Sequence, residues 1–386
     1  MATKTRQTVC LITRMGGPNF GSHLQAYALF ETLKRQGYSV KLFSGIPCDF
    51  FGYPNNFNAT YYLRLPLSLL GLYTCFLRLK LALIPNGAFP LASHKVNRWV
   101  RKHLPRKHIF FKWQLARLKR TESIFMVGSD QVWNTYVCFN PEMYLEFVDQ
   151  GKRLSYATSV GTRTIKDDCK ERVKIALRRF DRISVREKSA VTTLKNLTGR
   201  EDIEWVLDPT FLITAEQWLH LSIPPRIPRP ADHPYIFCYF LGEDDHYAAM
   251  LDDIRAKTGI SDVIIVPLCK DRAFHPDLYY NYLNADPFEF VWLIAHAKII
   301  CTDSFHATAL SINLNKEFVE FMRFEDSDIK SENSRIYDLL THFNLMSCIY
   351  GETRERTRPT DFAECNRILD ADRAKSLRYL ADAIEG

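Results

Sequence analysis

Lys298-Ile299-Ile300-Cys301-Thr302-Asp303-Ser304-Phe305-His306-Ala307-Thr308 reads as a short strand, a polar turn and the first turn of a helix. The apolar run Lys298 to Thr302 has the length of a buried strand, and small and apolar residues resume as a helix near Phe305. The same unit recurs on both sides of it. Toward the N-terminus, the apolar run Thr8 to Thr13 ends in the loop Gly16-Gly17-Pro18-Asn19-Phe20-Gly21, and an amphipathic helix follows from Ser22 to Gln36. Leu24, Ala28 and Leu29 share one face of that helix, and Gly37 supplies its stop. Further strands are expected at 40–43, 123–128, 154–158, 182–185, 235–240, 262–267 and 318–321. Helices are expected at 187–197, 246–258 and 334–343, with another capped by Asp286 and carrying Pro287 in its first turn. Alternation of this kind predicts α/β architecture with parallel sheets wound on both faces.

Length and composition set the frame. At 386 residues the chain exceeds the size at which one core stops growing, so two domains are expected. The expected division is 1–200, with a basic helical insertion at 50–121, then 201–360, then a C-terminal helix at 361–386 packing back on the first domain. The ten cysteines are scattered, the closest pair being Cys348 and Cys365, which argues against paired zinc ligands and a small disulfide framework. The polar start Met1–Gln7 and the short apolar run after it do not make a secretory signal, and no uncharged apolar stretch of about 18 residues stands out. A cytoplasmic chain is expected.

Net charge is +7, and its distribution is uneven. Between Asp49 and Glu122 there is no acidic residue, yet thirteen Lys and Arg fall there, interleaved with aromatics such as Tyr61, Trp99 and Trp113. Nucleic acid, an anionic membrane surface or an anionic ligand are the partners such a stretch fits.

Candidate functional residues cluster just past the carboxyl ends of expected strands, where doubly wound sheets bind ligands. His306 stands at a helix start whose backbone N–H groups favour an anion, and a histidine there can donate to phosphate or carboxylate or move a proton. Its plain alternative is a turn cap. Arg186 follows the strand at 182–185 and can grip phosphate or carboxylate with two parallel bonds; its alternative is an ion pair with Glu187 or another acid. Gly128-Ser129-Asp130-Gln131-Val132-Trp133-Asn134 gathers a carboxylate, two amides and an indole, a mixture suited to a hydroxyl-rich ligand. Helix capping by Ser129 or Asp130 is the alternative there. Asn19 and Gly21 lie in a glycine loop that lacks the spacing of a dinucleotide or P-loop fingerprint.

Taken in order, Asn19-x-Gly21-x-x-Leu24-Gln25-Ala26-Tyr27-Ala28-Leu29, Gly128 to Asn134, Ser155 to Gly161, Ile183 to Lys188, Val206-Leu207-Asp208-Pro209-Thr210, Thr302 to His306 and Ser334-Arg335-Ile336 resemble the polysaccharide pyruvyl transferase family. The resemblance spans roughly residues 8–345. It implies a GT-B-like fold of two Rossmann-like domains facing across a cleft. It also implies transfer of a pyruvyl group from phosphoenolpyruvate to a sugar, or a lipid-linked oligosaccharide, as a cyclic ketal with release of phosphate. His306 and Asp130 are then the expected acid–base pair, in either order. Donor contacts are expected from Arg186, His306 and Ser304, and acceptor contacts from Asn19, Gly21, Ser129, Asp130, Gln131, Trp133 and Asn134. Some members carry an arginine two residues before the histidine; Ser304 stands there here, so that contact is either absent or supplied from elsewhere, by Arg335 or Lys316. Phosphoenolpyruvate is expected as co-substrate, with no metal, no other cofactor and no nucleic acid. The basic stretch would then hold the chain against the anionic inner face of the membrane. The competing readings are a GT-B glycosyltransferase using a nucleotide sugar and a non-catalytic saccharide-binding paralogue.

Overall fold

The structure is a computed structural model, and it describes residues 7–15, 17–44, 94–108, 112–227, 233–242, 246–268, 273–351 and 359–386. The first half runs β1 (Thr8–Ile12), α1 (Phe20–Arg35), β2 (Ser39–Ser44), α2 (His94–His103), β3 (Arg106–His108), α3 (Lys112–Thr121) and β4 (Ile124–Asp130). It continues with β5 (Lys152–Thr158), α4 (Lys170–Leu177), β6 (Ile183–Val185), α5 (Lys188–Thr198) and β7 (Ile203–Trp205). These strands form one parallel sheet in the order β3-β2-β1-β4-β5-β6-β7. Every residue of β4 is buried, as expected of a central strand covered on both faces.

After α6 (Ala215–Leu221), the chain forms β8 (Tyr235–Tyr239), α7 (His246–Thr258), β9 (Asp262–Ile265), β10 (Tyr280–Asn281), α8 (Pro287–His296), β11 (Ile299–Thr302), α9 (Phe305–Asn313) and β12 (Phe318–Glu320). The second sheet is also parallel, in the order β10-β9-β8-β11-β12. Two elements close the chain, α10 (Ser334–His342) and α11 (Phe362–Glu385). The architecture is thus GT-B-like, two doubly wound parallel units. Strand order reverses between β1 and β4 in one sheet and between β8 and β11 in the other. Loops diverge at such points and leave a crevice at the carboxyl edge.

Helix α1 differs from its expected amphipathic form. It is buried on nearly every side because the first sheet lies on one flank and the helices of the second unit on the other. Phe20 stacks on Phe290 of α8 at 5.0 Å and meets Tyr239 of β8 edge-on at 5.9 Å. One hydrophobic core consequently runs from Val9 through Phe237 and Tyr239 of β8 to Ile384, joining both units. Helix α11 lies against the first sheet, where Tyr379 donates to the Ser155 carbonyl at 3.0 Å and the Ile384 carbonyl accepts from Lys152 Nζ at 2.9 Å.

The expected insertion needs correction where it is described. Arg106–His108 is the edge strand β3, paired with Leu42–Ser44 of β2. Nothing apolar marks it, so its period is silent in the sequence. The flanking α2 and α3 are basic helices, and α2 buries Val96, Trp99 and Val100. Residues 50–93 of the expected insertion lie outside the described residues. Among the described residues no helix is long and apolar enough to cross a membrane.

Candidate active site

The carboxyl ends of the strands beside both reversal points meet at one cavity of about 330 Å³. Arg14, Asn19 and Ser22 come from the end of β1 and the start of α1, and Asp130 and Gln131 from the end of β4. From the second unit come Leu241 after β8, Ser304, Phe305 and His306 after β11, and Arg323, Glu332 and Arg335 beyond β12. Ser304 is the N-cap of α9 and makes no side-chain capping bond. The first N–H groups of a helix have no partner within it, so this end of α9 is an anion-favouring wall.

Behind His306 lies a buried charge cluster. Arg186, with no exposed side-chain surface, donates from Nε to Glu187 at 2.9 Å and from Nη1 to Asp208 at 3.0 Å, and reaches Asp130 from Nη2 at 3.5 Å. Its Nη1 is 3.3 Å from His306 Nε2, which is 3.6 Å from Asp208 Oδ2. Its guanidinium also lies 4.1 Å from the Phe305 ring centre. Burial works against the Arg186 cation, but Glu187, Asp208 and Asp130 outweigh it and raise its pKa. Burial likewise pushes Asp208 and Asp130 up, yet His306 and Arg186, joined at Asp130 by Arg14, hold both carboxyls below the ordinary aspartate value. Asp130 has φ 63°, a left-handed backbone that an aspartate tolerates better than most residues, and that turn brings its carboxylate to the cluster.

A sequence profile of polysaccharide pyruvyl transferases matches residues 19–322, which covers α1 through the strand that precedes Arg323. The chain belongs to the polysaccharide pyruvyl transferase family. No curated protein matches it in sequence. Similar solved structures include HepE from Anabaena, in complex with UDP and glucose, at 10% identity and TM-score 0.49, covering 99% of this chain and 100% of that one. The N-terminal domain of trehalose-6-phosphate phosphatase from Candida albicans reaches TM-score 0.49 at 8% identity, covering 100% and 98%. UDP-GlcNAc 2-epimerase from Methanocaldococcus jannaschii gives 0.43 at 10%, covering 95% and 99%. Likeness at this level does not bear on activity, and the fold rests on the sheet topology itself.

Of the residues singled out in the sequence, His306, Asp130, Ser304, Arg335, Asn19 and Gln131 line this one cavity. Others do different work. Trp133 is not a sugar platform: it is 1% exposed, stacks on Tyr144 at 5.6 Å and donates from Nε1 to the Met143 carbonyl. Ser129 is fully buried and donates to the Ala157 carbonyl. Asn134 is buried, with its amide turned onto Gln131 and Glu332. Asn19 lines the cavity but also caps α1, accepting from Gly21 N at 2.9 Å and Ser22 N at 3.4 Å. Gly21 makes room for the histidine, since a Cβ there would stand 2.4 Å from His306 Nδ1. Lys316 is remote from the cavity. It precedes β12, at the amino edge of the sheet, and its electrostatic neighbour is Lys298 at the same edge. Arg186 is buried behind His306 rather than accessible at a strand end.

Sequence reasoning gives no role to Arg14, Arg323, Asp208 or Glu332, all of which the structure brings to the site. Arg14 and Arg323 stand two or three positions past strands, the same signal that marks Arg186. Asp208 lies inside the quoted Val206–Thr210 run. Glu332 carries no local signal, because only the fold brings it to Gln131.

Proposed function

We propose that this chain moves the pyruvyl group of phosphoenolpyruvate onto two hydroxyls of a sugar in a surface polysaccharide precursor. One observation carries the reading: His306 and Asp130 share a cavity with Arg14, Arg323 and Arg335 beside a helix N-terminus. Phosphoenolpyruvate brings a phosphate and a carboxylate, and arginines with helix N–H groups are the donors such a ligand requires. In this reading His306 protonates the methylene carbon, which becomes the methyl group and leaves an oxocarbenium-like C2. A sugar hydroxyl adds its oxygen to C2 and loses its proton to Asp130. Asp130 is the carboxylate at hand in the cavity, held ionised by the neighbouring His306 and Arg186. A second hydroxyl then bonds to C2, the bond from C2 to the phosphate oxygen breaks, phosphate leaves with that electron pair and takes up the hydroxyl's proton, and the ketal ring closes. Arg186 acts through others, orienting His306 and Asp130. The co-substrate is phosphoenolpyruvate, and no cofactor enters the steps.

The same proposal puts the acceptor on a lipid carrier at the anionic inner face of the membrane, with the chain in the cytoplasm. Exposed Arg98, Arg101, Lys102, Lys107, Arg117 and Arg120, on α2, β3 and α3, support it. Phosphate release from phosphoenolpyruvate, measured with galactose, mannose and N-acetylhexosamine acceptors, tests the reaction. Acceptor-dependent release is the expected result. Release of a nucleoside diphosphate from a nucleotide sugar, with none of phosphate from phosphoenolpyruvate, would overturn it in favour of a glycosyltransferase.

A further inference from the structure

One carboxylate ties the two walls of the cavity together. Glu332 Oε2 accepts from Arg323 Nη2 at 2.6 Å, Arg335 Nη2 at 2.6 Å and Gln131 Nε2 at 2.8 Å. Its Oε1 accepts from Asn134 Nδ2 at 3.2 Å. The arginines belong to the segment beyond β12, whereas Gln131 and Asn134 follow β4 on the opposite wall. Arg335 is 7% exposed and also donates from Nε to the Glu332 carbonyl at 3.2 Å. Arg323 lies 4.6 Å from the centre of the Phe324 ring. Each arginine gives one terminal nitrogen to Glu332, and the other, Nη1, has no hydrogen-bond partner among the described residues. A guanidinium recognises phosphate or carboxylate through a fixed planar fork, so whatever sets the plane sets the recognition.

We propose that Glu332 is a positioning residue for donor recognition. Braced from the far wall by Gln131 and Asn134, it fixes the Arg323–Arg335 pair beside it, so that the remaining Nη1 groups present one anion-binding edge to the donor. The inference rests on phosphoenolpyruvate being that donor. Gln131 and Asn134, expected from the sequence on the acceptor side, then serve the donor side by holding Glu332 in place.

Gln131→Glu tests this with little change of shape. It sets a second carboxylate against Glu332 and leaves both arginines intact. The expected result is a rise of about tenfold or more in KM for phosphoenolpyruvate, the scale of losing a hydrogen bond to a charged group, with a much smaller change in kcat. The reciprocal pair Gln131→Glu with Glu332→Gln restores one carboxylate and one amide, and is expected to recover most of that loss. An unchanged KM in Gln131→Glu, or a double variant whose losses simply add, overturns the proposal. If the wild-type protein releases no phosphate from phosphoenolpyruvate, the donor reading fails by itself. Calorimetric titration with inorganic phosphate then decides the role of Glu332: weaker binding to Gln131→Glu upholds it, and equal affinity overturns it.

Discussion

Arg186 has three carboxylates on its nitrogens and no exposed side-chain surface. Arg186→Ala leaves Asp130, Asp208 and Glu187 without their counter-cation, and truncating one partner of a buried pair costs about 3–5 kcal/mol. Its loss of activity is therefore expected to come with a large fall in the urea midpoint. His306→Ala removes a ring that packs against Gly21 but leaves Arg186 with all three acids. It is expected to keep most of the stability while phosphate release falls about 10²–10⁴-fold, the usual contribution of a positioned acid or base. Wild-type turnover in His306→Ala would remove the histidine from the mechanism. A second residue makes a prediction about pH. Glu320 is fully buried under the site, where Thr308 is its hydrogen-bond partner, and burial raises its pKa well above the ordinary glutamate value. The native state thus holds a proton that the unfolded chain has released above about pH 4.5. Stability from this group is full below that value and declines as pH rises toward the folded pKa. Glu320→Gln is expected to gain stability relative to wild type between about pH 5 and 8, by at most about 1.4 kcal/mol per pH unit. Parallel urea midpoints across that range would contradict the assignment.

Among the elements, α1 carries two duties at its first turn. Asn19 faces the cavity and also satisfies two backbone N–H groups of the helix. Asn19→Ala is expected to cost about 1 kcal/mol, and Asn19→Asp much less, because aspartate caps equally well. Equal destabilisation by both, in urea titrations, would mean that the cap contributes little. The same helix shows what is legible in the sequence and why. β1, α1, β4, β11 and α9 are readable because apolar runs stop at polar turns, and the rule that ligands gather past strand ends locates His306 and Asp130. Trp133 misleads because an indole beside amides reads as a sugar platform, while its N–H is satisfied by a carbonyl in the core. β3 is unreadable, being three basic residues at a sheet edge. Glu332 is unreadable for another reason: its partners Gln131 and Asn134 are about 200 positions away along the chain.

At the scale of the whole molecule, both units place their strand-order reversals at one cavity, and a shared core fixes their relation. The exposed arginines and lysines of α2, β3 and α3 give the first unit a basic edge. Each cation near anionic lipid contributes about 1 kcal/mol, and salt weakens the attraction. Co-sedimentation with anionic vesicles at low salt is therefore expected, with little recovery on neutral vesicles. Equal recovery on both would detach the basic edge from the membrane. The central claim, pyruvyl transfer in the shared cavity, is tested most directly by following the carbon itself. Phosphoenolpyruvate labelled with ¹³C at C2 is incubated with the protein and the saccharide acceptors, and the products are read by NMR. The account requires the label to appear as a ketal carbon bonded to two acceptor oxygens, matched by released phosphate and lost in His306→Ala. Label remaining in phosphoenolpyruvate or free pyruvate with every acceptor, while a nucleotide sugar donates its sugar to one of them, would contradict it.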